Sequence, residues 1–156
     1  MELMNFKKAV KSDFIKSYKK LTLGTFIKYL INPACRAAFF VRCAQFSPTM
    51  LFWLFRNILV TSYNIDFGRG CKIGYGLRIP HPIGIVFGGG GVIGNNFTIY
   101  QNVTIGNKKD SYPLIKDNVT IYCGSVVVGE IVVENNVVIG ALSFVDKSLT
   151  EGKVFK

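Results

Sequence analysis

Histidine is almost missing from this chain: His81 is the only one in 156 residues. A zinc centre built on clustered histidines is therefore excluded. The four cysteines, Cys35, Cys43, Cys71 and Cys123, contain no Cys-x-x-Cys pair that would replace it, so no metal is expected. Nor do they suit a disulfide framework in a chain that is 49% hydrophobic, and they read as buried thiols of a reducing cytoplasm. Uninterrupted apolar runs are short. None approaches the roughly 18 residues that a spanning helix needs, and the first one follows a Lys-rich stretch unlike a cleavable leader. The length fits one compact domain with a helical appendage, and the apolar content excludes disorder.

Acidic residues are also scarce, nine against 19 Lys and Arg, and the imbalance is local. Residues 1–60 hold ten basic and two acidic residues, and residues 61–156 hold nine and seven. The positive charge thus belongs to the first segment, which suits an anionic membrane surface or a solvated lysine face; no nucleic-acid module accompanies it. In this segment Phe6, Val10, Phe14, Tyr18 and Leu21 keep helical spacing among lysines, with Gly24 as the expected stop. Pro33 and Pro48 suit helix first turns. Two apolar stretches follow these prolines, interrupted by Arg36, Arg42 and Arg56. Phe39 and Phe40 are expected to pack on the second region or on a neighbouring subunit, whereas the Trp53 stretch suits packing and a bilayer surface equally.

After Tyr63 the texture changes to a repeat. Ile115, Ile121, Val127, Val133, Ile139 and Val145 are each six residues apart, as are Ile93, Ile99 and Ile105, and Phe67, Ile73, Ile79 and Ile85. A second inward position falls two residues before each anchor, as at Val103, Val119 and Val137. Six matches neither the 3.6-residue helical period nor simple strand alternation. Flat sides of six residues, three to a coil, give a triangular prism whose coils stack at strand spacing around an aliphatic axis. The expected fold is mainly β, a left-handed parallel β-helix preceded by an α-helical segment. Its parts are residues 1–62 (helical), 63–147 (β-helix, about four and a half coils) and 148–156 (a tail, read as that of a truncated or short natural variant). The repeat slips twice, from Ile85 to Ile93 across Gly88–Gly91 and from Ile105 to Ile115 across Asn107–Pro113. Both slips read as loops, which is where repeat proteins place their sites.

His81 lies beside the first slip, and Asp66 precedes it by fifteen residues, close to one coil. A carboxylate that holds imidazole Nδ1–H leaves Nε2 free as a base. On spacing alone, a surface or interface histidine with a structural role is the better fit.

The residues Ile65-Asp-Phe-Gly68, Lys72-Ile-Gly-Tyr-Gly76, His81, Val92-Ile-Gly-Asn-Asn96, Gln101-Asn-Val-Thr-Ile-Gly106 and Pro113 resemble the serine acetyltransferase branch of the hexapeptide-repeat acyltransferases. The resemblance implies a homotrimer with acetyl-CoA lying between subunits. It also implies His81 as general base, Asp66 as its orienting carboxylate, and Asn107, Cys123 and Ala141 along the pantetheine arm, with Lys147 near the nucleotide phosphates. Two departures stand out. Serine acetyltransferases carry Asp before the base, where this chain has Pro80, and Arg-His before the loop proline, where it has Ser111-Tyr112. Those lost charges would grip a zwitterion. The expected acceptor is therefore a hydroxyl on a sugar or glycan precursor in polysaccharide biosynthesis, with Tyr112 as a substrate contact. Serine O-acetylation is the alternative, and an inactive scaffold a further one. A γ-type carbonic anhydrase shares the fold but needs three histidines, so it is set aside. The expected location is cytoplasmic, with residues 1–60 available to the inner face of the membrane.

Overall fold

The computed structural model describes residues 4–20 and 22–156, so Leu21 lies outside the described residues. Among the described residues four helices come first: α1 (Phe6–Tyr18), α2 (Leu23–Ile31), α3 (Pro33–Phe46) and α4 (Thr49–Tyr63). Each boundary has a local cause. Asn5 accepts from the amides of Lys7 and Lys8, Thr22 and Thr25 form a capping box, and Asn32 caps α3 with Pro33 in its first turn. Pro48 takes the N-cap of α4, one place before the expected first turn, and left-handed Asn64 ends that helix. Gly24 is not a stop. It lies inside α2, because α1 already ends at Lys19, whose φ is 61°.

Thirteen short strands follow and form three parallel sheets, the faces of a β-helix of about four turns. Sheet A holds β1 (Asp66–Phe67), β3 (Val86–Phe87), β6 (Thr104–Gly106), β9 (Val126–Val128) and β12 (Phe144–Val145). Sheet B holds β2 (Lys72–Ile73), β4 (Val92–Ile93), β7 (Leu114–Ile115) and β10 (Val132–Val133). Sheet C holds β5 (Thr98–Ile99), β8 (Thr120–Ile121), β11 (Val138–Ile139) and β13 (Val154–Phe155). Residues 148–156, expected as a tail, continue the winding: Leu149 bridges Val133, and β13 pairs with β11.

The sixfold anchors are buried along the axis, as their period requires. The register corrects the first slip. Asp66 pairs with Val86, Val86 with Thr104, Thr104 with Val126 and Val126 with Phe144, so successive coils take 20, 18, 22 and 18 residues. Phe87, not Ile85, is the anchor above Phe67, and their rings meet edge to face at 5.7 Å. The two extra residues therefore fall between Ile79 and Phe87, in the corner that carries His81. The glycines of Gly88–Gly91 have another use. A Cβ on Gly88 or Gly90 would press into the ring of Tyr112, so these two positions seat that ring as the 107–113 loop returns to the prism.

The helices clasp the first coil through a buried ion pair. Arg42 and Asp13 are fully buried, and all five guanidinium hydrogens are used. Nε donates to Asp13 Oδ2 (2.8 Å) and Nη2 to Asp13 Oδ1 (2.9 Å); Nη1 donates to Gln45 Oε1 (3.0 Å) and Ile73 O (2.6 Å), and Nη2 also to Gly74 O (2.6 Å). In return Asp13 Oδ1 accepts from Leu77 N–H and Ser12 Oγ from Gly76 N–H. These backbone groups sit at the lower edge of the first coil, where a preceding coil would have paired with them. Desolvation pushes the Asp13 carboxyl above its ordinary value, against the pull of Arg42.

Among the described residues no helix is long and apolar enough to cross a membrane. Phe40 packs against the core, Phe39 against Phe6, and Trp53 stays exposed with the Arg56 guanidinium over its ring.

Candidate active site

The prism has three long edges, and the expected site residues divide between two of them. The edge from sheet C to sheet A stacks the corners of residues 80–84, 100–102, 122–124 and 140–142. Backbone bonds from Asn102 N to Ile83 O, Gly124 N to Gln101 O and Leu142 N to Cys123 O tie these corners together. His81, Cys123 and Ala141 lie on this edge. The edge from sheet A to sheet B carries Asn107, Tyr112 and Lys147. A hexad of extended chain separates the two edges, about 15–20 Å, so one chain does not bring Tyr112 to His81.

His81 is exposed, and its imidazole makes no hydrogen bond among the described residues. Its ring faces Tyr100 at 6.0 Å, and Tyr100 stacks on Tyr122 at 4.8 Å and 19°. This aromatic column was missed in the sequence. The signal was there, because each tyrosine directly follows an anchor, Ile99 or Ile121, and successive anchors face one another across coils.

Asp66 starts β1 one coil below the His81 corner, and its amide bonds Ile85 O at 2.9 Å. Its carboxylate does not bond His81. Arg56 Nε (2.9 Å) and Nη2 (2.8 Å) hold it instead, both through Oδ1, which leaves Oδ2 open. The sequence marked Arg56 only as a break in an apolar run and gave no sign of its place at Asp66.

The remaining candidates are open to solvent. Asn107, Ala141 and Lys147 are exposed, and Tyr112 is half-buried on its glycine seat. Lys108 ties the Asn107 loop to Asp146 at 2.8 Å. Cys123 is half-exposed, which corrects the expectation that all four thiols are buried. Burial pushes Cys43 up to about 11 and Cys71 up to about 12, and raises Cys35 as well. Since the thiolate is the nucleophile and Cys123 is the half-exposed thiol, iodoacetamide at neutral pH is expected to modify Cys123 first, Cys35 more slowly, and Cys43 and Cys71 on the order of a hundredfold more slowly. Peptide mapping by mass spectrometry checks this, and comparable labelling of Cys71 in folded protein would contradict it. Among the described residues no group of three or more His, Cys, Asp or Glu is placed to hold a metal.

No protein-family model matches the chain. The serine acetyltransferase of Staphylococcus epidermidis is 46% identical over 89 residues, which cover 54% of this chain and 42% of the relative. The β-helix is homologous to that of serine acetyltransferases. The structure of the Neisseria gonorrhoeae serine acetyltransferase superimposes with a TM-score of 0.81 at 26% identity, covering 92% of this chain and 60% of that one. A serine acetyltransferase in complex with CoA shares the fold, with a TM-score of 0.82 at 24% identity over 94% of this chain and 64% of its own. The coil stack thus has the left-handed β-helix fold of the serine acetyltransferases and resembles their sequence over about half of the chain. This chain spans less than half the length of its S. epidermidis relative. The relatives displace the sugar-directed, polysaccharide-biosynthesis reading from first place, since they are serine acetyltransferases.

Proposed function

We propose that this chain is an acetyl-CoA-dependent O-acetyltransferase, with L-serine as the acceptor its relatives favour. The observation that carries the proposal is the division of the acyltransferase residues between two edges of one prism. A homotrimer that sets the His81 edge of one subunit against the Asn107–Tyr112 edge of the next joins them. Ile83, Tyr122, Leu142 and Phe144 are all exposed along or beside the His81 edge, an apolar strip suited to such a contact.

The small residues Cys123 and Ala141 lie on the same edge two and three coils above His81, a line that suits a pantetheine arm, and exposed Lys147 suits a nucleotide phosphate. His81 takes the proton from the acceptor hydroxyl as its oxygen attacks the thioester carbonyl carbon. The open Oδ2 of Asp66 accepts imidazole Nδ1–H and steadies the imidazolium. A backbone amide at the Asn107 turn donates to the oxyanion. When the adduct collapses, the carbon–sulfur bond breaks and His81 returns the proton to the departing thiolate, with no acyl-enzyme formed.

One specific observation favours a second acceptor class, a hydroxyl on a sugar. Pro80, Ser111 and Tyr112 supply none of the charges a zwitterion calls for, and the half-exposed Tyr100–Tyr122 stack, which His81 faces, offers an uncharged aromatic face. CoA release measured by mass spectrometry, with L-serine and then nucleotide sugars and oligosaccharides, separates the two. Acetylserine is the expected product. Acetylation of sugars alone would move the acceptor to the second class. No transfer to any acceptor, together with failure of acetyl-CoA to slow Cys123 alkylation, would refute the enzyme and leave a scaffold.

A further inference from the structure

The helix α2 turns its apolar stripe outward. Leu23, Phe26, Ile27, Leu30 and Ile31 follow the i, i+3, i+4, i+7, i+8 pattern of a single helix face, yet they are 47% to 77% exposed, and only Tyr29 of the helix is buried. A nine-residue helix is marginal by itself, so a stripe of this kind needs cover. Lys19, Lys20, Lys28 and Arg36 stand exposed on α2 and its flanks. Among the described residues 4–63 the only acid is Asp13, and it is buried against Arg42. Every exposed charge on the described residues of the four helices is therefore positive. A second copy seated there would bring cations against cations, whereas an anionic surface with an apolar interior complements both features.

We propose that the outward face of α2 docks this chain on an anionic lipid bilayer, with Leu23, Phe26, Ile27, Leu30 and Ile31 entering the acyl boundary and the flanking cations meeting the headgroups. Inward-turned Tyr29, with Asn32 at the end of α2, lines a cavity of about 220 Å³ whose far wall includes Pro80, the neighbour of His81. Docking through α2 therefore places this cavity, with Pro80 in its lining, on the side of the helix away from the lipid.

Co-sedimentation of the full chain with phosphatidylcholine vesicles, with and without phosphatidylglycerol, tests this. Binding is expected to the anionic vesicles and to weaken as salt rises. The double variant Ile27→Ser/Leu30→Ser is expected to lower vesicle affinity about tenfold or more while circular dichroism stays unchanged, and Lys20→Glu/Lys28→Glu is expected to act in the same direction. Met50→Ser/Leu54→Ser, on the exposed face of α4, is expected to leave binding intact. Equal affinity for neutral and anionic vesicles, or unchanged binding by the α2 variants, would overturn the proposal. So would an equal loss in the α4 variant, or a wild type that ignores vesicles but loses oligomeric mass when α2 is altered. That last result would make the stripe a contact between copies.

Discussion

Replacing Arg42 with methionine is expected to remove about 3–5 kcal/mol of folding free energy, a large share of what a domain of this size possesses. The loss comes less from the attraction between Arg42 and Asp13 than from what is stranded without it. Asp13 keeps one backbone donor, Leu77 N–H, at a site where its side chain is 2% exposed. The Gly74 carbonyl loses its Arg42 donor, and Ile73 O retains only Gln45. A lysine in the same place has one ammonium to offer where five directed donors were in use, so Arg42→Lys is expected to recover little. Adding Asp13→Leu to Arg42→Met should restore part of the loss by removing the unpaired charge, but not all, because the coil-edge backbone groups still lack partners. Urea unfolding of the single and double variants decides the matter. A single Arg42→Met variant within about 1 kcal/mol of wild type would show that the clasp is not where the stability lies.

His81→Ala is expected to lower kcat for acetyl transfer by about a hundredfold to ten-thousandfold, the usual worth of a positioned general base. Acetyl-CoA binding and thermal stability should hardly change. The side chain is exposed and carries no hydrogen bond in the single chain, and the His81 carbonyl that receives Ile83 N–H at 2.9 Å survives the substitution. Steady-state kinetics paired with the Cys123 protection assay separates a lost base from a lost donor site. A modest fall in kcat, or a fall matched by loss of acetyl-CoA protection, would assign His81 to binding. Asp66→Asn, which still accepts a hydrogen bond but carries no charge, should fall between wild type and His81→Ala.

Much of the prism is legible in the sequence, because a six-residue aliphatic period has few physical realisations and the inward positions are bound to it. The misplaced slip shows where the period is ambiguous. Each hexad has two inward positions, two residues apart. Ile85 fills the second of them while keeping a six-residue step from Ile79, so the true anchor, Phe87, looked like part of a loop. Only the pairing of Phe67 with Phe87 across coils resolves this. The clasp was illegible for a different reason. A charged residue reads as exposed until its partner is known, and Asp13 and Arg42 lie 29 residues apart on separate helices. Arg56 hid in the same way, as an interruption of an apolar run, before its pairing with Asp66. The Tyr100–Tyr122 column needs the 22-residue coil to be recognised, which depends on knowing that the 107–113 loop leaves and rejoins the winding without shifting it.

The first coil meets α1 and α3 side chains where another coil would otherwise sit, and this bears on how the molecule stays finite. Every coil presents to the next the same row of amides and carbonyls that it receives from the last, so nothing in the repeat itself sets a length. A prism bare at that end would be a seed, ready to accept a coil from any other chain and grow into a fibril. Arg42, Gln45, Ser12 and Asp13 fill that row with side chains that cannot be extended. The helical segment is thus a terminator of polymerisation as much as a platform, and its buried charges keep one end of the column closed to addition.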